Sequence, residues 1–170
     1  MNSHGSTPSK SPPVKKKEVI FIVLSSSNKN RVVCDLVEKL FLMHKHLLLY
    51  VQDEIEARKY DQLLWTWKQS SFIPHVYDNE FIVPHEETIV ITSQKGIESE
   101  IIKSDHGYDV CVMVDPVPFP VVDYFRQVID FAEKYDQSRL IQSRERYKRM
   151  KSDDVILKTM QPGEFLSAKM

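Results

Sequence analysis

The chain reads as an α/β protein in three layers, with helices on both sides of a mostly parallel sheet. Three observations lead there. Continuous apolar runs rich in β-branched residues recur at Val19–Leu24, Leu47–Val51, Ile89–Ile91 and Val110–Val114. Stretches with a helical apolar period stand between them. Strands alternating with helices build βαβ units, whose strands are buried on both faces and so stay apolar throughout. At 170 residues, 42% of them hydrophobic and 28% charged, the chain has the size of one domain with a single core.

Residues 1–17 are dominated by Ser, Pro and Lys, end in Lys15-Lys16-Lys17 and show no helical period. They are expected to be a disordered basic tail ahead of one domain spanning 18–170. Such a tail is either solvated or in weak contact with nucleic acid or an acidic surface. Val19–Leu24, followed by Ser25-Ser26-Ser27-Asn28, predicts the first buried strand. Val33, Leu36, Val37, Leu40 and Phe41 then follow the i, i+3, i+4, i+7, i+8 pattern of an amphipathic helix. Leu47–Val51 predicts a second strand. A helix over about 54–67 carries the stripe Ala57, Tyr60, Leu64 and Trp67. Ile89–Ile91 and Val110–Val114 predict two further strands, and the long connection from Ser93 to Gly107 reads as a mobile loop. Pro118 and Pro120 suit a helix start, where the missing N–H costs little. Val122, Phe125, Ile129 and Ala132 would be that helix's inward face. A last helix is predicted from Gln137 to Lys151.

An α/β sheet invites a nucleotide-binding reading, but that chemistry needs a glycine-rich turn whose N–H groups can approach phosphates. The four glycines are Gly5, Gly96, Gly107 and Gly163, and the turn after the first strand, Ser25 to Asn30, holds none. Neither phosphate-loop pattern is present, so no cofactor is expected. His44, His46, His75, His85 and His106 lack the spacing of metal ligands. Cys34 and Cys111 stand far apart in apolar surroundings, as expected of buried thiols in a reducing cytoplasm. The first residues carry no signal core, and no apolar run has the roughly 18 residues of a membrane span. No nucleophile elbow is present. Glu86, Glu87 and Asp105 leave open a hydrolase or nuclease with a site assembled only in space.

Two features stand out. In the last helix Arg139, Arg144, Arg146, Lys148, Arg149 and Lys151 are opposed by one acid, Glu145. Arg144, Tyr147, Lys148 and Lys151 fall at i, i+3, i+4 and i+7 and share a face. That face is either a solvated charged surface or a site for an acidic peptide or a phosphate backbone. The net charge of −1 argues against wholesale nucleic-acid binding. The second feature is Leu64-Trp65-Thr66-Trp67 followed by Phe72-Ile73-Pro74-His75. Trp65 and Trp67 are about 200° apart around a helix. With Trp67 on the apolar stripe, Trp65 falls on the flank, either tucked beneath a loop or open to a partner.

Together these segments resemble the chi subunit family of bacterial DNA polymerase III. The pattern runs through Leu64-Trp65, Phe72-Ile73-Pro74-His75, Val128-Ile129-Asp130-Phe131 and Arg144-Glu145-Arg146-Tyr147-Lys148. The resemblance covers about Glu18 to the C-terminus. It implies an α/β/α fold that looks like a nucleotide-binding domain yet binds no nucleotide. It also implies a non-catalytic adaptor in the clamp-loader assembly. The family binds the acidic C-terminal tail of single-stranded DNA-binding protein on one surface and a psi subunit on another, so DNA is expected to be reached only indirectly. Arg144, Tyr147 and Lys148 fall on the family's tail-binding positions, with Arg139 as the stand-in for a further basic residue near Leu140 and Lys151 extending the face. Trp65 and Phe72 fall on the aromatic positions facing psi or a helicase partner. The sequence departs from the family in tail 1–17, in Val76–Glu80 where the family often has a glycine-rich loop, in the length of 93–107, and in one residue inserted between Phe131 and Tyr147.

Overall fold

The computed structural model describes residues 15–77, 89–94, 107–118 and 120–169. Most of the expected tail, nearly all of the 93–107 connection, and Glu86, Glu87, His85, Asp105 and His106 lie outside the described residues.

In chain order the elements are β1 (Lys17–Leu24), α1 (Lys29–Leu42), β2 (Leu47–Tyr50), α2 (Glu54–Trp65), β3 (Val76–Tyr77), β4 (Ile89–Thr92), β5 (Val110–Met113), a 3₁₀ turn (Val121–Asp123), β6 (Gln127–Glu133), α3 (Gln137–Met150), β7 (Val155–Met160) and α4 (Pro162–Ser167). The seven strands form one sheet in the order β3-β4-β2-β5-β6-β1-β7. Every pairing between them is parallel. β1 lies inside the sheet with β6 on one side and β7 on the other, Phe21 standing opposite Asp130.

Alternation along β1 divides the core. Ile20, Ile22 and Leu24 join the buried faces of α1 and α2 and Phe165 of α4. Val19 and Phe21 point the other way, into a cluster with Leu48, Cys111, Met113, Phe125 and Val128, partly covered by Tyr147 and Met150 of α3. The result is three layers, with α1, α2 and α4 on one face and α3 on the other. Local signals agree with these boundaries. Asp53 caps α2 by accepting from the Glu56 N–H at 2.9 Å, and Asp136 caps α3 by accepting from Arg139 N–H at 3.1 Å. Lys39 on α1 holds α4 down, donating to the carbonyls of Phe165 and Ala168.

One predicted element is wrong. Residues 120–132 do not form a helix; after the short 3₁₀ turn the chain runs into β6, paired with both β1 and β5. The helical spacing of Val122, Phe125, Ile129 and Ala132 was coincidental. Gln127–Glu133 is a buried parallel strand whose apolar run is interrupted by one charge, Asp130, and that interruption hid it. β3, β7 and α4 had no counterpart in the sequence reading. β7 is an edge strand with half of its residues exposed, so it lacks the apolar run that marks an inner strand. α2 ends at Trp65, before Trp67, which still packs half-buried against the core. β1 begins at Lys17, two residues before the predicted run Val19–Leu24.

Both cysteines are buried free thiols. Burial, reinforced by the nearby Asp35 charge, pushes the Cys34 thiol up to about 12. Burial pushes Cys111 up as well. The thiolate is the reactive form. A thiol reagent at mildly alkaline pH should therefore modify neither cysteine in the native protein and both in denaturant; rapid native labelling of either one would contradict the packing.

Candidate partner-binding surfaces

The rotation of α3 about its own axis decides which of its basic residues face solvent. One contact sets it. Arg146 turns inward and grips Asp130 on β6 with both arms of its guanidinium, Nε to Oδ2 at 2.7 Å and Nη2 to Oδ1 at 3.0 Å. Nη2 also donates to the Phe131 carbonyl at 3.3 Å. Asp130 is 2% exposed, and burial pushes its carboxyl up while the Arg146 guanidinium pulls against that shift. Ser143, also buried, returns its hydroxyl to the Leu140 carbonyl at 2.7 Å. Tyr147 lies half-buried over β1, its ring 5.3 Å from that of Phe21.

With that side held down, Arg144, Lys148 and Lys151 are exposed on the flank beside Tyr147, as their spacing requires. Lys148 is 74% exposed and has a loose pair with Glu145 at 3.5 Å, an interaction of little energetic weight. Arg139 is not part of this flank. It points to the C-terminal end of the sheet, where Nη1 meets Glu133 at 2.8 Å and Nε lies 3.6 Å from Asp136. The opposite flank of α3 borders a cavity of about 570 Å³, lined by Met113, Val117, Pro118, Val122, Arg149 and Met150 among others. Neither the Asp130–Arg146 pair nor this cavity was read from the sequence. The one available signal was an acid inside an apolar run, which must find a partner when buried.

The C-terminal end of the sheet is where phosphates bind in nucleotide-binding relatives of this architecture. Here Glu133, the last residue of β6, occupies the centre. Lys29 at the start of α1 approaches it at 3.2 Å, Arg139 at 2.8 Å, and the Tyr135 hydroxyl donates to it at 2.6 Å. Tyr60 donates to Asn30 beside them at 2.8 Å. An incoming phosphate would have to displace Glu133 from both cations. Burial pushes the Glu133 carboxyl up, but Tyr135, Lys29 and Arg139 outweigh it and hold the carboxyl below its ordinary value.

The second surface lies at the end of α2. Trp65 is 50% exposed and Phe72 71% exposed, and their rings approach to 5.7 Å. His75 lies under the patch, 4.4 Å from the Trp65 ring. It is buried, with Nδ1 2.7 Å from the Ile73 carbonyl oxygen and Nε2 3.1 Å from that of Asp61. The turn between the two aromatics is closed by Lys68 and Ser71, both of which bond Glu38 on α1. The structure thus brings together the two aromatics that the sequence singled out. Among the described residues no group of His, Cys, Asp and Glu is placed to hold a metal, and no helix is long and apolar enough to cross a membrane.

Two stability measurements follow. Arg146→Ala leaves a buried carboxylate unpaired and should cost about 3–5 kcal/mol, whereas replacing both partners with apolar residues (Asp130→Leu with Arg146→Met) should recover most of it. Urea unfolding of the three proteins checks this. For Glu133 the folded value is depressed, so its contribution is present above the ordinary value of 4.5 and lost as pH falls through the lowered one. Glu133→Gln should therefore be less stable than the wild type by about 1–3 kcal/mol near neutral pH. The two urea midpoints should converge in acid.

No curated protein sequence matches this chain. Among solved structures, the crystal structure of T4 UvsW superposes with a TM-score of 0.57 at 11% identity, over 86% of this chain. The chain spans 42% of that structure's length, and at this identity the likeness concerns the fold alone. The family described as DNA polymerase III chi subunit, HolC, matches residues 17–158, from the first residue of β1 to the middle of β7. A match over that share of a 170-residue chain, with the Trp65–Phe72 patch and the Arg144–Lys148 flank both inside it, means that the protein belongs to the DNA polymerase III chi subunit family.

Proposed function

We propose that the chain is a cytoplasmic, non-catalytic adaptor of DNA replication with two docking surfaces. Family membership supplies the setting, association with the clamp-loader complex of DNA polymerase III. The flank of α3 formed by Arg144, Tyr147, Lys148 and Lys151 would receive the acidic C-terminal tail of single-stranded DNA-binding protein. The patch of Trp65 and Phe72 would receive a psi-type subunit or a helicase partner.

The observation that carries this reading is the division of labour along α3. Arg146 is consumed by Asp130 and Arg139 by Glu133, while Arg144 and Lys151 have no ion-pair partner among the described residues. Uncommitted cations beside a half-buried tyrosine suit a ligand with carboxylates and one apolar ring. A terminal carboxylate fits the planar guanidinium of Arg144 with two parallel hydrogen bonds, and Lys148 would meet a neighbouring aspartate. Arg139 is left out of this site because it points elsewhere. The Trp65–Phe72 pair fits an apolar helix or strand from a partner, since exposed aromatics are common anchors of protein interfaces.

Titration of the full-length protein with a labelled acidic peptide ending in Phe tests the tail site. Arg144→Ala combined with Lys148→Ala should weaken binding about tenfold or more, because two charge-assisted bonds are lost. Amidating the peptide's C-terminus should weaken it too, and added salt should act in the same direction. Arg139→Ala and Trp65→Ala with Phe72→Ala should leave peptide binding as it was, while the aromatic pair should be needed to retain psi or a helicase in a pull-down. Undiminished peptide binding to the Arg144 and Lys148 double variant would refute the tail site.

A further inference from the structure

A third surface lies at the opposite end of the sheet from Glu133. The N-terminal ends of β1, β5 and β6 open there into two adjoining hollows of about 460 and 520 Å³, which share Lys15, Glu18, Lys45 and Gln127. Five cations line them: Lys15, Lys16, Lys45, Arg126 and Lys158. They face two carboxylates, Glu18 and Asp109, so the local balance is +3 in a chain whose net charge is −1. Both carboxylates are engaged. Glu18 pairs with Lys158 at 3.2 Å, and Asp109 accepts the His46 backbone N–H at 2.8 Å. Two phenol rings, Tyr108 and Tyr124, line the 460 Å³ hollow, and Tyr124 is 50% exposed.

We propose that this N-terminal mouth of the sheet is a contact surface for single-stranded nucleic acid, with Lys15, Lys16, Lys45 and Arg126 along the phosphates and Tyr124 against a base. Three considerations favour that ligand. Segregated positive charge on a near-neutral chain attracts anions locally without coating the whole molecule. A concave basic surface with an exposed aromatic ring is the arrangement that tracks a flexible strand, because bases stack on the ring while cations follow the backbone. The position is also continuous with the proposed tail site. β6 and β7 run parallel, so α3 between them carries the chain back to this same end of the sheet, and Lys151 and the Asp154 carbonyl bonded by Lys17 N–H at 3.2 Å lie at the strand starts. A protein tethered to single-strand-binding protein through α3 would thus present the mouth towards the strand that protein coats.

Fluorescence anisotropy with labelled oligo(dT) of roughly 12 nucleotides, within the site size of one small domain, tests the proposal on the full chain. Binding at low salt is expected, with log K falling against log salt at a slope of about −2 to −3, as for three to four phosphates on a single strand. Lys45→Glu with Arg126→Glu should abolish that binding and leave the acidic peptide's affinity unchanged. Tyr124→Ala should weaken binding about fivefold or more at an unchanged salt slope, since stacking on one ring is worth about 1–3 kcal/mol. Arg144→Ala with Lys148→Ala should have the reverse pattern, losing the peptide and keeping the oligonucleotide, so failure of one site is distinguishable from failure of the other. Absence of oligonucleotide binding at low salt, binding indifferent to the Lys45 and Arg126 pair, or equal competition by polyglutamate or by anionic vesicles would overturn it.

Discussion

A carboxylate on an inner strand of a parallel sheet is the constraint on which the proposed tail surface depends. Asp130 stands on β6 between β1 and β5, where its strand neighbours Ile129, Phe131 and the paired Phe21 are apolar and buried. An ionised acid there is tolerable only with a bidentate partner, and the partner has to come from the layer above. Arg146 supplies it, so α3 can neither slide nor roll without stranding a buried charge. Everything exposed on α3 follows by helix geometry. Positions near Arg146 face the sheet, Tyr147 leans over Phe21 on β1, and Arg144 and Lys148 are turned to solvent. The pair gives the helix a defined registry, which apolar packing of a helix with Ser143 as its one fully buried residue would leave loose.

The same economy of charge explains why a nucleotide-like architecture need not hold a nucleotide. In this fold the C-terminal ends of the strands are the natural place for a phosphate, and Lys29 sits at the helix start where such a site would want a cation. Glu133 is already there. It pairs with Lys29 and Arg139 at once and accepts a phenol, so the cations at this end of the sheet are committed to an internal network. Among the described residues, cations without an ion pair stand elsewhere, Arg144 and Lys151 on the outer flank of α3 and Lys45 and Arg126 at the N-terminal mouth.

Most of the scaffold could be read from the residues because buried parallel strands are continuous apolar runs. β1, β2, β4 and β5 announce themselves in this way, and α1, α2 and α3 through their period and caps. β6 was misread as a helix because Asp130 breaks its run and an accidental i, i+3 spacing filled the gap. β3 and β7 are edge strands, short or half polar, and α4 is a turn and a half held by Lys39; none buries enough to leave a pattern. At the surfaces, spacing alone separated Trp65 from Trp67 and gathered Arg144, Tyr147 and Lys148. It could not tell which arginines are already spoken for. Arg139 and Arg146 look equivalent to Arg144 along the chain, and only the positions of Glu133 and Asp130 in space distinguish structural from available cations.

The mouth of the sheet was invisible for a related reason. Its residues come from five separate places, the Lys15–Lys16 entry with the start of β1, the turn after α1, the start of β5, the start of β6, and β7. No window of sequence contains them together, and a net charge of −1 conceals them further. Parallel topology is what assembles them, because all strands begin at one end and the polar residues flanking the starts of β1, β2, β5 and β6 meet at the same rim. A sheet of this kind therefore has two chemically distinct poles. In this protein the cations of one pole are paired with Glu133 and the other pole has an excess of positive charge, and α3 runs from the first to the second with Arg144, Lys148 and Lys151 along its exposed flank. α3 ends at Met150, capped by Lys151, on the side of the sheet where the mouth opens, which is the geometric reason to treat the proposed tail site and the proposed mouth as parts of one path.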